Sequence, residues 1–426
     1  MYNSAYGSYS MTLTGLYNHN TATFGTIGGG YVNYVVAYGG VVTGGVSNTA
    51  KGSLSTVTGG HANINTGEGA TIRGGQYNTV TGYAGMIGGG WYNRNFAKGG
   101  VVGGGQNNWA YGYVSVVAGG YLNSAVGSRS VVGGGTYNRA MSEASVNGGG
   151  HYNFVYGYAA TILGGMVNRV KASYGTVGGG YANTVHSTAI YGTITGGMYN
   201  VIVGYAATIG GGGYNTVPEV VSTTIVGGSY NRVYSNYQVI GGGNYNFMYA
   251  QYTAQPGGHN SWTYGYAATI AGGMYGTASG SYTYTGGGWY NHNLGTKTVI
   301  GGGWQNIVYA QTYTMVGGGA WNRNDADFGV ISGGHNHYVY GYAGSVAGGL
   351  YNSAFGSHST IGGGYVNRAM SDYTAIGGGY YVSATTPYST IGGGGYNWAA
   401  GYHTTVAGGA YNYVYSTFSV INGGQS

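Results

Sequence analysis

Residues 74–88 read Gly74-Gly75-Gln76-Tyr77-Asn78-Thr79-Val80-Thr81-Gly82-Tyr83-Ala84-Gly85-Met86-Ile87-Gly88. Numbered 1 to 15, these positions recur along the whole chain. The asparagine at position 5 steps by 15 from Asn3 through Asn33, Asn78 and Asn123 to Asn183. The step then lengthens to 17 at Asn200, to 16 at Asn231 and to 16 at Asn322. Ser261, Gly276, His337 and Val382 take the position in four copies, while Asn352 and its other neighbours keep it. The chain is therefore about 28 copies of one unit.

Each recurring position carries its own chemistry. Positions 1 and 2 are Gly-Gly in all copies but the first, where Thr14-Gly15 stands, and paired glycines allow a sharp corner. Asparagine tolerates the left-handed region, and its amide can bond both its own turn and the equivalent asparagine one copy on. Position 14 is Ile or Val, as at Ile27, Val42, Ile72, Val177, Ile209, Ile300 and Ile391; the exceptions are Thr12, Asn147, Gln255 and Thr285. A β-branched residue at one fixed position predicts an inward strand face and a continuous buried ladder. Position 9 is small (Gly52, Gly112, Ala172), which suits a narrow interior or a second corner.

Fifteen residues cannot bury a face alone, but stacked copies cover one another. The expected fold is all-β: a parallel β-solenoid of about 28 coils, running as one continuous array over residues 1–426. At roughly 4.8 Å per coil, the array would rise on the order of 130 Å. Collagen is excluded because the 97 glycines do not fall at every third residue and only 3 prolines occur. Disorder does not fit 42% hydrophobic residues placed in phase. Residues 111–142 are echoed at 340–371, so the array grew by duplicating blocks of coils. Met1-Tyr2-Asn3 enters at position 3 and Gly423-Gly424-Gln425-Ser426 stops at position 4. No polar cap is expected at either end, which suits either a segment of a longer chain or copies that abut end to end.

Composition narrows the function. Cysteine is absent, no apolar run approaches a membrane span, and no Asn-x-Ser/Thr acceptor occurs. The 12 basic residues are scattered along the array, which speaks against nucleic acid as a partner. No catalytic, metal or cofactor site is expected. The six acids are mostly isolated, and the one cluster, Asp325 and Asp327 with His335 and His337, reads as a solvated loop. The glycine runs are corners repeated in every coil, not phosphate loops. An ice-binding solenoid would need a paired Thr-x-Thr face, which positions 13 and 15 do not form.

The 51 tyrosines and 7 tryptophans concentrate at positions 3, 4, 8 and 10. Trp91, Tyr92, Tyr113, Tyr158, Trp289, Tyr290 and Tyr342 are the candidate adhesive aromatics, for stacking between coils or for contact with glycans, matrix or neighbouring chains. Position 13 is mostly Thr or Val beside the buried position 14, so its sheet face is expected to be covered by another copy or another face of the assembly.

Thr176-Val177-Gly178-Gly179-Gly180-Tyr181-Ala182-Asn183 and Gly349-Leu350-Tyr351-Asn352-Ser353-Ala354-Phe355-Gly356 resemble the YadA-type head repeats of trimeric autotransporter adhesins. The resemblance implies a left-handed parallel β-roll, trimerisation through an apolar sheet, and a place at the tip of a bacterial surface fibre that binds host matrix or cells. The family's repeat is typically one residue shorter, and its neck, heptad stalk and anchor barrel do not occur in these 426 residues. Similar arrays occur in phage tail fibres. The expectation is a non-enzymatic, extracellular or cell-surface filament or fibre segment that self-associates and inserts into no membrane.

Overall fold

The computed structural model describes residues 2–425; Met1 and Ser426, and with them the outermost residues of the expected uncapped ends, lie outside the described residues. The fold is an all-β solenoid of about 28 turns, each contributing two strands of two residues, with no helix among the described residues. The chain divides into two compact units, Met1–Tyr214 and Asn215–Ser426. In the first, strands at positions 6–7 stack from Ser4–Ala5 to Val201–Ile202, and strands at positions 13–14 from Met11–Thr12 to Thr208–Ile209. In the second, the corresponding stacks run from Thr216–Val217 to Tyr413–Val414 and from Thr224–Ile225 to Val420–Ile421.

Pairing is parallel and in register, as in Thr79↔Arg94 and Ile72↔Ile87. A third ladder of single bridges runs along position 3, for example Gln76↔Trp91. The strands are short because each coil contains two left-handed residues, at positions 4 and 11: Tyr77 has φ 55° and Ala84 φ 50°. A left-handed residue costs roughly 1–2 kcal/mol when it is not glycine, yet the cost recurs in nearly every coil. What offsets it is amide direction. Most strand amides donate to the following coil, as Thr79 N–H does to the Asn93 carbonyl at 2.9 Å. Those of Tyr77 and Ala84 are turned round and donate to the preceding coil, at His61 (3.0 Å) and Glu68 (2.8 Å).

At the Gly59-Gly60 corner only the second glycine is compelled, though in other coils the first also has positive φ, as Gly134 does at 147°. Gly60 has φ 90°, and a Cβ there would sit 2.0 Å from the Gly75 carbonyl oxygen, whereas a Cβ on Gly59 would meet nothing within 4 Å.

Inward-facing side chains form two ladders. Ile27, Val42, Ile72, Val177, Ile209, Ile300 and Ile391 at position 14 are fully buried. Facing them is position 7, with Val80, Ala110, Val155 and Ile202 in the first unit and Val308, Val339 and Ala384 in the second, all equally buried. Small residues at positions 9 and 12 close the interior. Position 13 lies on the outside and is half-buried in most coils, as at Thr26 and Val101. The longer coils put their extra residues between positions 7 and 13. Val185 and Thr193 bracket the insertion in the first unit; Val217 and Thr224, and Val308 and Met315, bracket those in the second. Both strand ladders thus keep their register.

Candidate functional site

Apart from the exposed Asn3, the position-5 asparagines are buried, and the backbone dictates their identity. Following the left-handed residue, the amide of position 5 also points to the preceding coil, where no backbone carbonyl faces it. The preceding asparagine supplies the acceptor: Asn78 N–H donates to Asn63 Oδ1 at 3.0 Å, and Asn123 N–H to Asn108 Oδ1 at 3.0 Å. Each Nδ2 spans the corner: that of Asn33 donates to Gly29 and Gly45, that of Asn183 to Gly179 and Gly197, and that of Asn352 to Gly348 and Gly364. The ladder is therefore chiefly side chain to backbone. Direct amide-to-amide bonds, such as Asn33 Nδ2 to Asn18 Oδ1 at 3.2 Å, occur in only a few coils.

His337 replaces asparagine by imitating half of it. Its Nδ1 accepts from Asn352 N–H at 3.0 Å, which places the ring proton on Nε2; that atom is buried without a hydrogen-bond partner. Burial holds the imidazole below its ordinary value of 6.5. Its sequence neighbours are also engaged. Asp325 forms an ion pair with Arg323 (2.8 Å), and Asp327 Oδ1 accepts the amides of Gln311 (2.7 Å) and Thr312 (2.8 Å), capping the inserted residue of the longer coil. Among the described residues no group of three or more His, Asp or Glu could hold a metal ion.

The outer surface is organised as columns of rings. Along position 4, Tyr77 and Tyr92 stack at 4.9 Å and 4°, and Tyr275 and Tyr290 at 4.6 Å and 8°. Along position 8, Tyr234, Tyr249 and Tyr264 stack at 4.6 and 4.7 Å. Trp91 and Tyr92 lie at one edge of the first unit; Trp289, stacked on Trp304 at 5.9 Å, and Tyr290 lie at the matching edge of the second. Tyr113 and Tyr158 in the first unit, and Tyr342 in the second, belong instead to position 10. The seven candidate aromatics are thus surface residues divided between two column edges, and they do not converge on one site.

Position 11 carries a further column that sequence reading missed: His358, Tyr373, Tyr388, His403 and Phe418 stack in an unbroken series with centroids 4.6–5.3 Å apart. Charge is sorted too. Arg94, Arg139 and Arg169 in the first unit, and Arg232, Arg323 and Arg368 in the second, all stand at position 6. Six of the 12 basic residues that look scattered along the chain therefore share, within each unit, one sheet face with the position-8 rings. Arg139 lies 5.7 Å from the Phe154 ring, and Arg323 4.8 Å from that of Tyr309.

No known protein family matches the chain, and no curated protein matches it.

Proposed function

We propose that this solenoid is a non-enzymatic structural protein of an extracellular or cell-surface fibre, in which backbone and asparagine ladders supply stiffness and the outward aromatic columns supply contact. The observation that carries this reading is the stacking of rings in register on a backbone bonded coil to coil, repeated within each unit. A column of tyrosines offers the same contact at every coil, which suits attachment to extended surfaces, glycans, matrix or a second copy of the chain. With 4% charged residues, little electrostatic repulsion opposes self-association.

The resemblance to trimeric adhesin heads supports a second reading, in which copies meet through the half-buried Thr and Val of position 13. Electron microscopy of the purified chain, with its mass measured in solution, separates the readings. Filaments are the expected result; discrete particles of trimer mass favour the adhesin head, and dispersed single chains reject a self-assembling fibre.

A further inference from the structure

Two surface clefts, one in each unit, are built from equivalent residues. The first is lined by Trp109, Tyr111, Ser124, Val126, Arg139 and Met141 and encloses about 200 Å³. The second is lined by Tyr338, Tyr340, Ser353, Phe355, Arg368 and Met370 and encloses about 450 Å³. Every lining residue of one has its counterpart 229 positions on in the other, so the block duplication carried a complete cleft with it. Four of the six pairs keep their identity, and Trp109 is exchanged for another aromatic.

Register explains the shape. At position 6 an aromatic, a serine and an arginine occupy three consecutive coils: Trp109↔Ser124↔Arg139 in one unit, Tyr338↔Ser353↔Arg368 in the other. The small serine opens a notch between two large side chains, roughly 9.6 Å apart at two inter-strand spacings. In the second unit the pattern continues beyond the arginine as Arg368↔Ser383↔Trp398. Arg368 is thus flanked by a serine notch on either side, and each notch is closed by a ring. Trp398 is oriented by its Nε1–H, which donates to Thr385 Oγ1 at 3.1 Å.

Neither Arg139 nor Arg368 forms an ion pair among the described residues, whereas Arg323, of the same column, is neutralised by Asp325. An unpaired guanidinium presents a fork suited to a carboxylate or sulfate. Ring faces beside it suit the apolar face of a sugar, and the serine and tyrosine hydroxyls suit sugar hydroxyls. We propose that these clefts bind acidic sugar residues, with Arg139 and Arg368 holding the anionic group, and that the double notch around Arg368 takes consecutive residues of an acidic polysaccharide. Nucleic acid fits less well. Each cleft holds a single guanidinium beside its rings and hydroxyls, whereas nucleic-acid affinity rests on many phosphates neutralised together.

The proposal rests on the adhesive reading above and names a ligand for it, on a face distinct from the position-4 and position-10 columns. The test titrates the full chain with a galacturonate oligomer, a sulfated dextran oligomer, uncharged dextran of the same length and single-stranded oligothymidylate, by isothermal calorimetry. One of the two acidic oligomers should bind at two sites per chain, the choice between them assigning carboxylate or sulfate. Arg139→Gln and Arg368→Gln should each remove one site, weakening it at least tenfold with an unchanged circular dichroism spectrum. Ser353→Trp, which fills the notch without removing charge, should weaken the same site as Arg368→Gln. Acidic oligomers that do not bind, binding that survives the double arginine variant, or equal binding of oligothymidylate would overturn the proposal. Filaments formed by a chain that binds no sugar would reject the clefts alone, and sugar binding without filaments would reject the fibre alone.

Discussion

At the scale of single residues, the recurring asparagine answers a specific backbone need: an amide that points where no carbonyl faces it, and a corner carbonyl of its own turn that needs a donor, with a second bond to a carbonyl of the following coil that a backbone amide already reaches. Asn183→Ala would strand Asn200 N–H and the carbonyl of Gly179, while the Gly197 carbonyl keeps the Tyr181 amide. At about 1–3 kcal/mol for a buried unsatisfied group, we expect a loss of at least ~2 kcal/mol, read from the denaturation midpoint and from hydrogen exchange at the neighbouring coils. His337 makes the same point through pH. Its pKa is depressed in the folded state, so the unfolded chain binds the proton more readily. Stability is full above the ordinary value of 6.5 and falls as pH drops through it. His335 is the titratable neighbour that adds to the depression. His337→Asn should restore Nδ2 donors to the corner and flatten this acid limb in a thermal melt series, while His335→Asn should leave most of it. That asparagine lines a ladder is legible in its period; that its main partner is a backbone amide is not, because the amide's direction depends on the left-handed tyrosine or alanine before it.

At the scale of the coil, the ladders differ in how far they can be read. Position 14 is legible because Ile and Val recur there almost without interruption. Position 7 is not, because its buried residues run from Ala50 to Met248 and include Asn20, Asn65, Asn95, Asn293 and Asn324. Hydrophobicity alone does not mark such a column; the two-residue stagger from position 5 does. The Gly-Gly pair gives a paired prediction. Gly60→Ala, with φ 90° and a Cβ against the Gly75 carbonyl, should cost more than about 2 kcal/mol. Gly59→Ala, facing open space, should be neutral or stabilising by about 0.4–1 kcal/mol. The position-14 exceptions give another. Gln255 Nε2 and Thr285 Oγ1 are buried without partners, on either side of the small apolar cluster of Ala268, Ile270 and Ala278. Gln255→Ile should raise the melting temperature and slow exchange across residues 254–285, stabilising by roughly 1–3 kcal/mol.

At the scale of the whole molecule, repetition turns each choice of residue into a column, so surface chemistry is set by which position a residue occupies. Most of the arginines that look scattered in one dimension share one coil position, and so one face within each unit, once the coil is wound, and a duplicated block yields a duplicated cleft. Both depend on the register, which is the central claim. Since the chain has no cysteine, the register can be measured by introducing pairs of them. Thr161→Cys with Thr176→Cys joins equivalent positions on adjacent strands; Thr161→Cys with Met166→Cys joins residues closer in sequence but on different ladders. A short bismaleimide should cross-link the first pair within single chains and largely spare the second. Preference for the second pair, or equal yield from both, would contradict the fifteen-residue coil and every column built on it.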